Sequence, residues 1–356
     1  MSLLKEGVHV ANRWIIRSRN EKISFFMVKK DVYKTIAVLV SLLLVVLLGL
    51  MIGIDIIPLH EVINYTFNLA PIENEFALGE LRMPRVLSGI IVGASLAVAG
   101  LIVQGIIRNP LASPDVIGVT GGASVSAVLF LTYFSDSMGV EWTPIFAMIG
   151  AIITFFIIYL FSLHPSITAN RIVLIGIGLA TLANALVMYI LVTSASFSAE
   201  RAYLWLTGSL YGVNWLQTKT VLVSFIVLFL MIMWSKREFE LYSYGDSVAQ
   251  QLGLRLKRFR ILFLLFSALL CGLSVSVAGG IGFIGLLTPH ISRRIVRHHT
   301  LLLFITTAGI GAILVVLADW IARMAFQPLD IPAGVFTSGI GAPFFIYLLI
   351  KNRNSF

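Results

Sequence analysis

The sequence predicts an all-α polytopic membrane protein with about ten transmembrane helices. Three observations carry this. Of 356 residues, 58% are hydrophobic and only 12% charged, where a soluble domain carries about 25% charged residues. Apolar runs of about twenty residues recur along the chain, the length one helix needs to cross hydrocarbon. Basic residues gather in alternate connecting segments, as they do on the inner side of a membrane. Helices are the default because hydrocarbon offers no partner to an unpaired backbone group. A β-barrel would instead show alternating segments of roughly ten residues.

Taken in order, residues 1–34 form a basic N-terminal extension on the cytoplasmic side. It is too long for the charged region of a signal peptide, and the apolar run after it is long enough to span, so 35–54 is predicted as a retained first helix. The remaining helices are predicted at 86–107, 116–134, 144–163, 172–195, 218–234, 260–280, 282–296, 300–325 and 331–350. All belong to one transmembrane domain over 35–351. No Asp, Glu, Lys or Arg falls between Ile261 and Ser292. Roughly thirty residues exceed one crossing, and Gly279, Gly280 and Gly282 supply the break between the seventh and eighth helices.

With the N-terminus inside, 21 of the 26 basic residues fall on the inner side, leaving Arg82, Arg85, Arg201, Lys219 and Arg323 outside. The net charge of +9 is therefore an inner-side excess rather than a nucleic-acid footprint, and no aromatic-basic platform accompanies it. The largest inner loop between helices, 235–260, holds Gly-Asp-Ser-Val-Ala-Gln-Gln-Leu-Gly from Gly245 to Gly253. This polar, helix-prone run bounded by glycines is a poor lipid anchor and a good handle for a partner outside the membrane.

An internal repeat is visible where Val98 to Pro110 aligns with Val277 to Pro289 at five of thirteen positions. The two stretches point in opposite directions across the bilayer, as in inverted-repeat transporters. Small residues four apart let helix backbones approach closely. They occur at Gly89 and Gly93, Gly118 and Gly122, the stripe Gly272, Ser276 and Gly280, and Gly334 and Ser338. Ordinary bundle packing accounts for most; the Gly- and Pro-rich run Gly334 to Pro343 is the candidate for a subunit seam or solute-facing surface.

No Asp, Glu, Lys or Arg lies in the middle of a predicted helix, so the charges on which proton- and ion-coupled carriers rely are missing. Asp319 and Arg323, four apart near the outer end of the ninth helix, fit an intrahelical ion pair. Backbone carbonyls can still hold Na⁺, so an ion-coupled secondary transporter remains the alternative of another class. No Gly-Lys pair is present, hence no phosphate-binding loop. No cluster has metal-ligand spacing, and no nucleophile is paired with a base. His290, His298 and His299 read as structural or solvated. Cys271, alone in an apolar run, reads as inert packing. Neither enzymatic chemistry, nor a cofactor, nor a metal site is expected.

Several separated motifs, in order, resemble the FecCD-type iron-siderophore and cobalamin permeases, the membrane subunits of type II ABC importers. They are Leu81-Arg82-Met83-Pro84-Arg85, Gly105 with Asn109-Pro110-Leu111-Ala112, Gly118 with Gly121-Gly122-Ala123, and Trp205 to Leu210. The second half adds Gly245 to Gly253, Gly282 to Leu286 with Pro289-His290, Ala318-Asp319 with Ala322-Arg323, and Gly341 to Phe345. The resemblance covers about residues 35 to 350. It implies a second permease subunit, identical or paralogous, with the pore at the seam, and helices two to five related by inversion to helices seven to ten. It also implies two ATPase subunits inside, a substrate-binding protein outside, a ferric siderophore as cargo with cobalamin or haem as rivals, and a bacterial cell membrane location with both termini cytoplasmic. Site residues follow the same resemblance. Gly245, Asp246, Ala249, Leu252 and Gly253 would couple to the ATPase, with Ala249 and Leu252 sharing one face. Arg82, Arg85 and Arg323 would meet acidic residues of the binding protein. Thr168, Ala169 and Asn170 would narrow the inner mouth.

Overall fold

The apolar runs fold as helices that bury the backbone groups hydrocarbon cannot satisfy. The computed structural model describes residues 13–17, 24–115, 118–162, 169–326 and 330–351. Ahead of the bundle, β1 (Arg13–Arg17) and β2 (Ser24–Val28) pair antiparallel, from Arg13 opposite Val28 to Arg17 opposite Ser24. The sequence reading of the basic extension does not predict this hairpin. It runs straight into α1 (Lys29–Met51), which begins six residues before the predicted first helix.

Then follow α2 (Leu59–Phe67), a π-helical turn (Ala77–Arg82), α3 (Met83–Ile107), α4 (Val119–Tyr133), α5 (Ser135–Met138) and α6 (Thr143–Ser162). The chain continues through α7 (Ala169–Thr193), α8 (Ser196–Leu206), α9 (Trp215–Trp234), α10 (Lys236–Ser243) and α11 (Asp246–Gln251). It closes with α12 (Leu256–Ala278), α13 (Ile284–Ile295), α14 (Thr300–Ala325) and α15 (Ala333–Lys351). Every predicted span overlaps one of these helices. Among the described residues, seven are long and apolar enough to cross a membrane, and α4 and α15 are shorter apolar helices. The 12-residue α13 reaches about 18 Å, short of a bilayer core.

Burial sorts the helices. The most apolar stretch of α3 is 89% buried, that of α12 72% and that of α14 61%, against 17% for α1 and α9. A helix apolar all round belongs in a core, and α3 occupies it because small residues admit its neighbours closely. A Cβ on Gly93 would overlap the Gly311 carbonyl of α14, and one on Gly100 would overlap the Gly285 carbonyl of α13. Hydroxyls bind across helices where lipid gives no water: Ser88 with Thr218 and Thr35 with Thr306 at 2.9 Å, and Ser267 donating to the Ala99 carbonyl at 3.1 Å. These glycine contacts lie within the chain, which is the ordinary bundle packing expected for most of the small-residue pairs.

The predicted break at Gly279 is present. α12 stops at Ala278, and Gly279 takes φ 64°, ψ −152°, a region open to glycine alone. A Cβ there would also overlap the Trp205 carbonyl. The two aligned stretches break at different points, however. After Val98 and Ala99, α3 continues through Ile107 before Arg108 turns left-handed at φ 55°. By contrast, α12 ends at Ala278, the second aligned residue. The sequence match at Val98 and Val277 is therefore not a match of local backbone.

One end of the bundle collects the starts of α1, α12 and α14 and the end of α3. There Lys34 Nζ donates to the Ile295 carbonyl, and Asp31 Oδ2 accepts from the amides of Arg297 and His298. Arg108, Arg260 and α11 lie at this basic end. Arg82, Arg85 and Arg323 lie at the opposite end.

Candidate functional site: a lever at the basic end and a charge knot at the other

The sequence between α9 and α12 folds as two short helices set by side chains that reach back into the bundle. Phe239 of α10 packs over Gly105 of α3, where a Cβ would meet its ring. The same ring lies 5.1 Å from that of Phe304 on α14 and 5.5 Å from Phe263 on α12. Tyr242 is buried and stacks on Phe259 at 4.6 Å. Its hydroxyl donates to the Ile106 carbonyl at 3.0 Å and accepts from Arg260 Nε at 3.1 Å. The Arg108 guanidinium sits 4.6 Å over the Tyr242 ring and donates to the Tyr242 carbonyl at 3.1 Å. Asp246 closes the cluster, with Oδ1 accepting from Arg108 Nη2 at 2.7 Å and Oδ2 from Arg260 Nη2 at 2.6 Å.

The segment from Gly245 to Gly253 is thus a short helix bounded by two glycines. Gly245 has φ 107° and Gly253 φ 87°, both values that favour glycine, and neither has a neighbour within reach of an added Cβ. One expectation is corrected here. Ala249 and Leu252 do not share a face: Ala249 is fully buried and faces the bundle, while Leu252 is 57% exposed. The reason is the anchoring of α11 through Asp246, which turns the Ala249 side of this helix inward. Val248, 41% exposed and four residues before Leu252, supplies the outward apolar pair instead. Beside α11 a cleft of about 760 Å³ opens between α10 and the α13–α14 connection, with Arg108, Arg293, Arg297 and His298 on its walls.

At the opposite end the three predicted arginines come together, but not as free charges. Arg82 is buried and donates to the carbonyls of Leu50, Met51 and Asp55 at 2.8, 3.1 and 2.6 Å. Arg85 forks to two carboxylates. Its Nε donates to both oxygens of Asp319 at 3.0 Å, and Nη1 and Nη2 donate to Asp330 at 2.6 and 2.9 Å. Arg323 pairs with Asp319 at 3.3 Å, the intrahelical pair read from the sequence, and donates to the Gly49 carbonyl at 3.3 Å. A buried guanidinium must be matched by acceptors, and α1, α14 and the segment before α15 provide them. Each of the three therefore has acceptors within this chain. Arg82, Arg85, Arg323 and Asp330 line a cavity of about 610 Å³.

Of the remaining expected residues, Ala169 and Asn170 open α7 and Thr168 lies outside the described residues. Sequence reasoning missed Tyr242, Arg108, Arg260 and Asp330. For Arg108 and Arg260 the available signal is complementary charge at one membrane face: one acid, Asp246, on the same side as the basic residues near the end of α3 and the start of α12. Among the described residues no group of His, Cys, Asp and Glu could hold a metal ion.

Comparison with known proteins agrees with this architecture. The family model of the FecCD transport family matches residues 41–351. A probable siderophore transport system permease, YfhA of Bacillus subtilis, is 40% identical over 89% of this chain and 93% of its own length. The achromobactin transport system permease CbrC of Dickeya dadantii is 37% identical over 88% and 92%. The vitamin B12 import permease BtuC of Vibrio cholerae is 37% identical over 78% and 83%. A solved inward-facing structure described as a metal-chelate type ABC transporter superposes with a TM-score of 0.78, covering 89% of this chain and 98% of that one at 28% identity. Matched over nearly all of its spans, and by relatives that it covers almost end to end, this chain belongs to the FecCD transport family and is a multi-pass membrane protein.

Proposed function

We propose that this chain is the permease subunit of an ATP-driven importer and that its cargo is a ferric siderophore. The observation that carries the reading is α11. It is a six-residue helix at the basic end that offers Val248 and Leu252 outward while its first residue is tied to the ends of two core helices. An ATPase seated on that face would move the spans without contributing anything inside the bilayer. The basic end is then cytoplasmic, with both termini inside, and the cleft beside α11 gives the ATPase a positively charged rim. ATP hydrolysis belongs to that separate subunit, not to this chain. The iron cargo follows from relatives described as siderophore, achromobactin and ferric citrate permeases. The vitamin B12 relative keeps a corrinoid as the rival cargo.

A second copy or a paralogue completes the pore. Large apolar residues face outward on α7 (Leu182, Met188 and Tyr189) and α15 (Ile340 and Ile346), a surface that lipid or a second copy can cover. Opposed repeats of helices two to five and seven to ten remain part of this reading. A substrate-binding protein docks at the opposite end, where Arg82, Arg85 and Arg323 shape the cavity rim through their internal partners. In this reading Ala169 and Asn170, which open α7, belong to the inner gate.

Reconstitution tests the reading. Vesicles holding this chain with its ATPase and binding protein should concentrate ferric hydroxamate or ferric citrate only when ATP is present inside. Uphill uptake by the chain alone, driven by a Na⁺ or proton gradient, would replace it with a secondary carrier. Uptake of cobalamin and no iron chelate would keep the importer and change the cargo.

A further inference from the structure

The cluster around Asp246 has a mechanical consequence. α11 is joined to its neighbours along the chain at Gly245 and Gly253, two positive-φ glycines in open surroundings. Such joints bend readily, so the covalent path is the soft one. A second path, through side chains, converges on one carboxylate. Asp246 holds Arg108, the C-cap of α3, and Arg260, in the second turn of α12. Both guanidinium groups also lie against the buried Tyr242 ring, Arg260 at 5.6 Å and Arg108 at 4.6 Å, a cation–π arrangement that fixes their orientation. α3 and α12 are the two most buried long helices. α9, which precedes the lever in sequence, is among the least buried.

We propose that Asp246 is a positioning residue that transmits displacement of α11 to α3 and α12 together, and that it does not itself contact the ATPase. This rests on the reading of α11 as the ATPase-coupled lever. The magnitudes favour transmission over stabilisation. Asp246 and Arg108 are each 42% exposed at the side chain, and ion pairs that open to solvent contribute little to folding. Loss of the carboxylate charge therefore leaves the fold intact and slackens the linkage. Tyr242 acts in the same unit through its two hydroxyl hydrogen bonds.

The test uses the complete importer in proteoliposomes, with ATP hydrolysis and uptake of radio-iron measured on the same vesicles. Ferric hydroxamate and ferric citrate serve as probes, and the one that the unaltered protein concentrates is kept. In Asp246→Asn the ATPase should co-purify in unchanged amount and hydrolysis should persist. Chelate imported per ATP should fall about tenfold, the size of a typical coupling energy between sites. Tyr242→Phe should show a smaller loss of the same kind, and Asp246→Glu should restore part of the coupling. Unchanged import per ATP in Asp246→Asn would overturn the proposal. So would loss of ATPase co-purification, which would make Asp246 a docking contact, or failure of the variant to fold, which would make it a structural support. Failure of the underlying reading looks different: the unaltered chain would then retain no ATPase, or import without ATP.

Discussion

The two ends of the bundle use the same chemistry in opposite ways. Each ties several chain segments together with arginine and aspartate, and each has glycines at positive φ. At the Arg85 end, the pair Arg85–Asp319 has side-chain exposures of 10% and 3%, and a Cβ on Gly279 would overlap the Trp205 carbonyl. At the Asp246 end, the exposures are 42% for Asp246 and Arg108 and 19% for Arg260, and a Cβ on Gly245 or Gly253 would meet no neighbour. Burial decides what a charge network does. A desolvated network is expensive to open and fixes geometry, whereas a solvated one adds little stability and can be pulled and released. The network at the Arg85 end is therefore costly to open, and the one at the Asp246 end opens at little cost.

The comparison breaks most visibly at Arg85. Arg85→Met leaves Asp319 buried beside Arg323 alone and strips Asp330 of its fork. Removing one partner of a buried ion pair costs about 3–5 kcal/mol. A large fall in the thermal midpoint of the detergent-solubilised protein is expected. A fall no larger than that of Asp246→Asn would mean that the two networks do not differ as described.

Glycine substitutions sharpen the same contrast at smaller amplitude. Gly279→Ala forces both a glycine-only conformation and a carbonyl overlap, so a loss of about 1–3 kcal/mol from backbone strain is a lower bound. Gly253→Ala meets strain without overlap and should cost about 1–2 kcal/mol. Equal losses at the two positions, read from the same thermal unfolding, would show that packing at the two ends is alike.

These contrasts were only partly legible in the sequence. The helical class, the break at Gly279 and the isolation of 245–253 follow from run length, charge and glycine placement, all of which are local. The face of α11 is not local. Three-residue spacing permits Ala249 and Leu252 to align, but Asp246 selects the orientation by binding Arg108, 138 residues away in the chain. Arg82 and Arg85 read as outer-surface charges because their partners, the carbonyls of Leu50 and Met51 and the carboxylates of Asp319 and Asp330, come from other segments. The hairpin of β1 and β2 is short, and its largely apolar strands RWIIR and SFFMV sit inside a segment whose charge dominates the sequence reading.

Asp246→Asn gives the next smaller effect on stability, about 1 kcal/mol or less, with import per ATP as the quantity that moves. A thermal shift approaching that of Arg85→Met would remove the distinction between a holding and a transmitting network.

The smallest stability effect belongs to the outward face of α11. Val248 and Leu252 are exposed, and surface substitutions away from special features stay within about 0.5 kcal/mol. Val248→Glu with Leu252→Glu should leave the thermal midpoint unchanged and abolish co-purification of the ATPase, because two carboxylates would have to be buried without partners in the docked interface. Ala249→Arg is the control. Ala249 is fully buried, so an arginine there disrupts the seat of α11 on the bundle and lowers both stability and coupling. Retained ATPase binding in the double glutamate variant would place the contact elsewhere, with the cleft bounded by Arg293 and Arg297 as the remaining surface at that end.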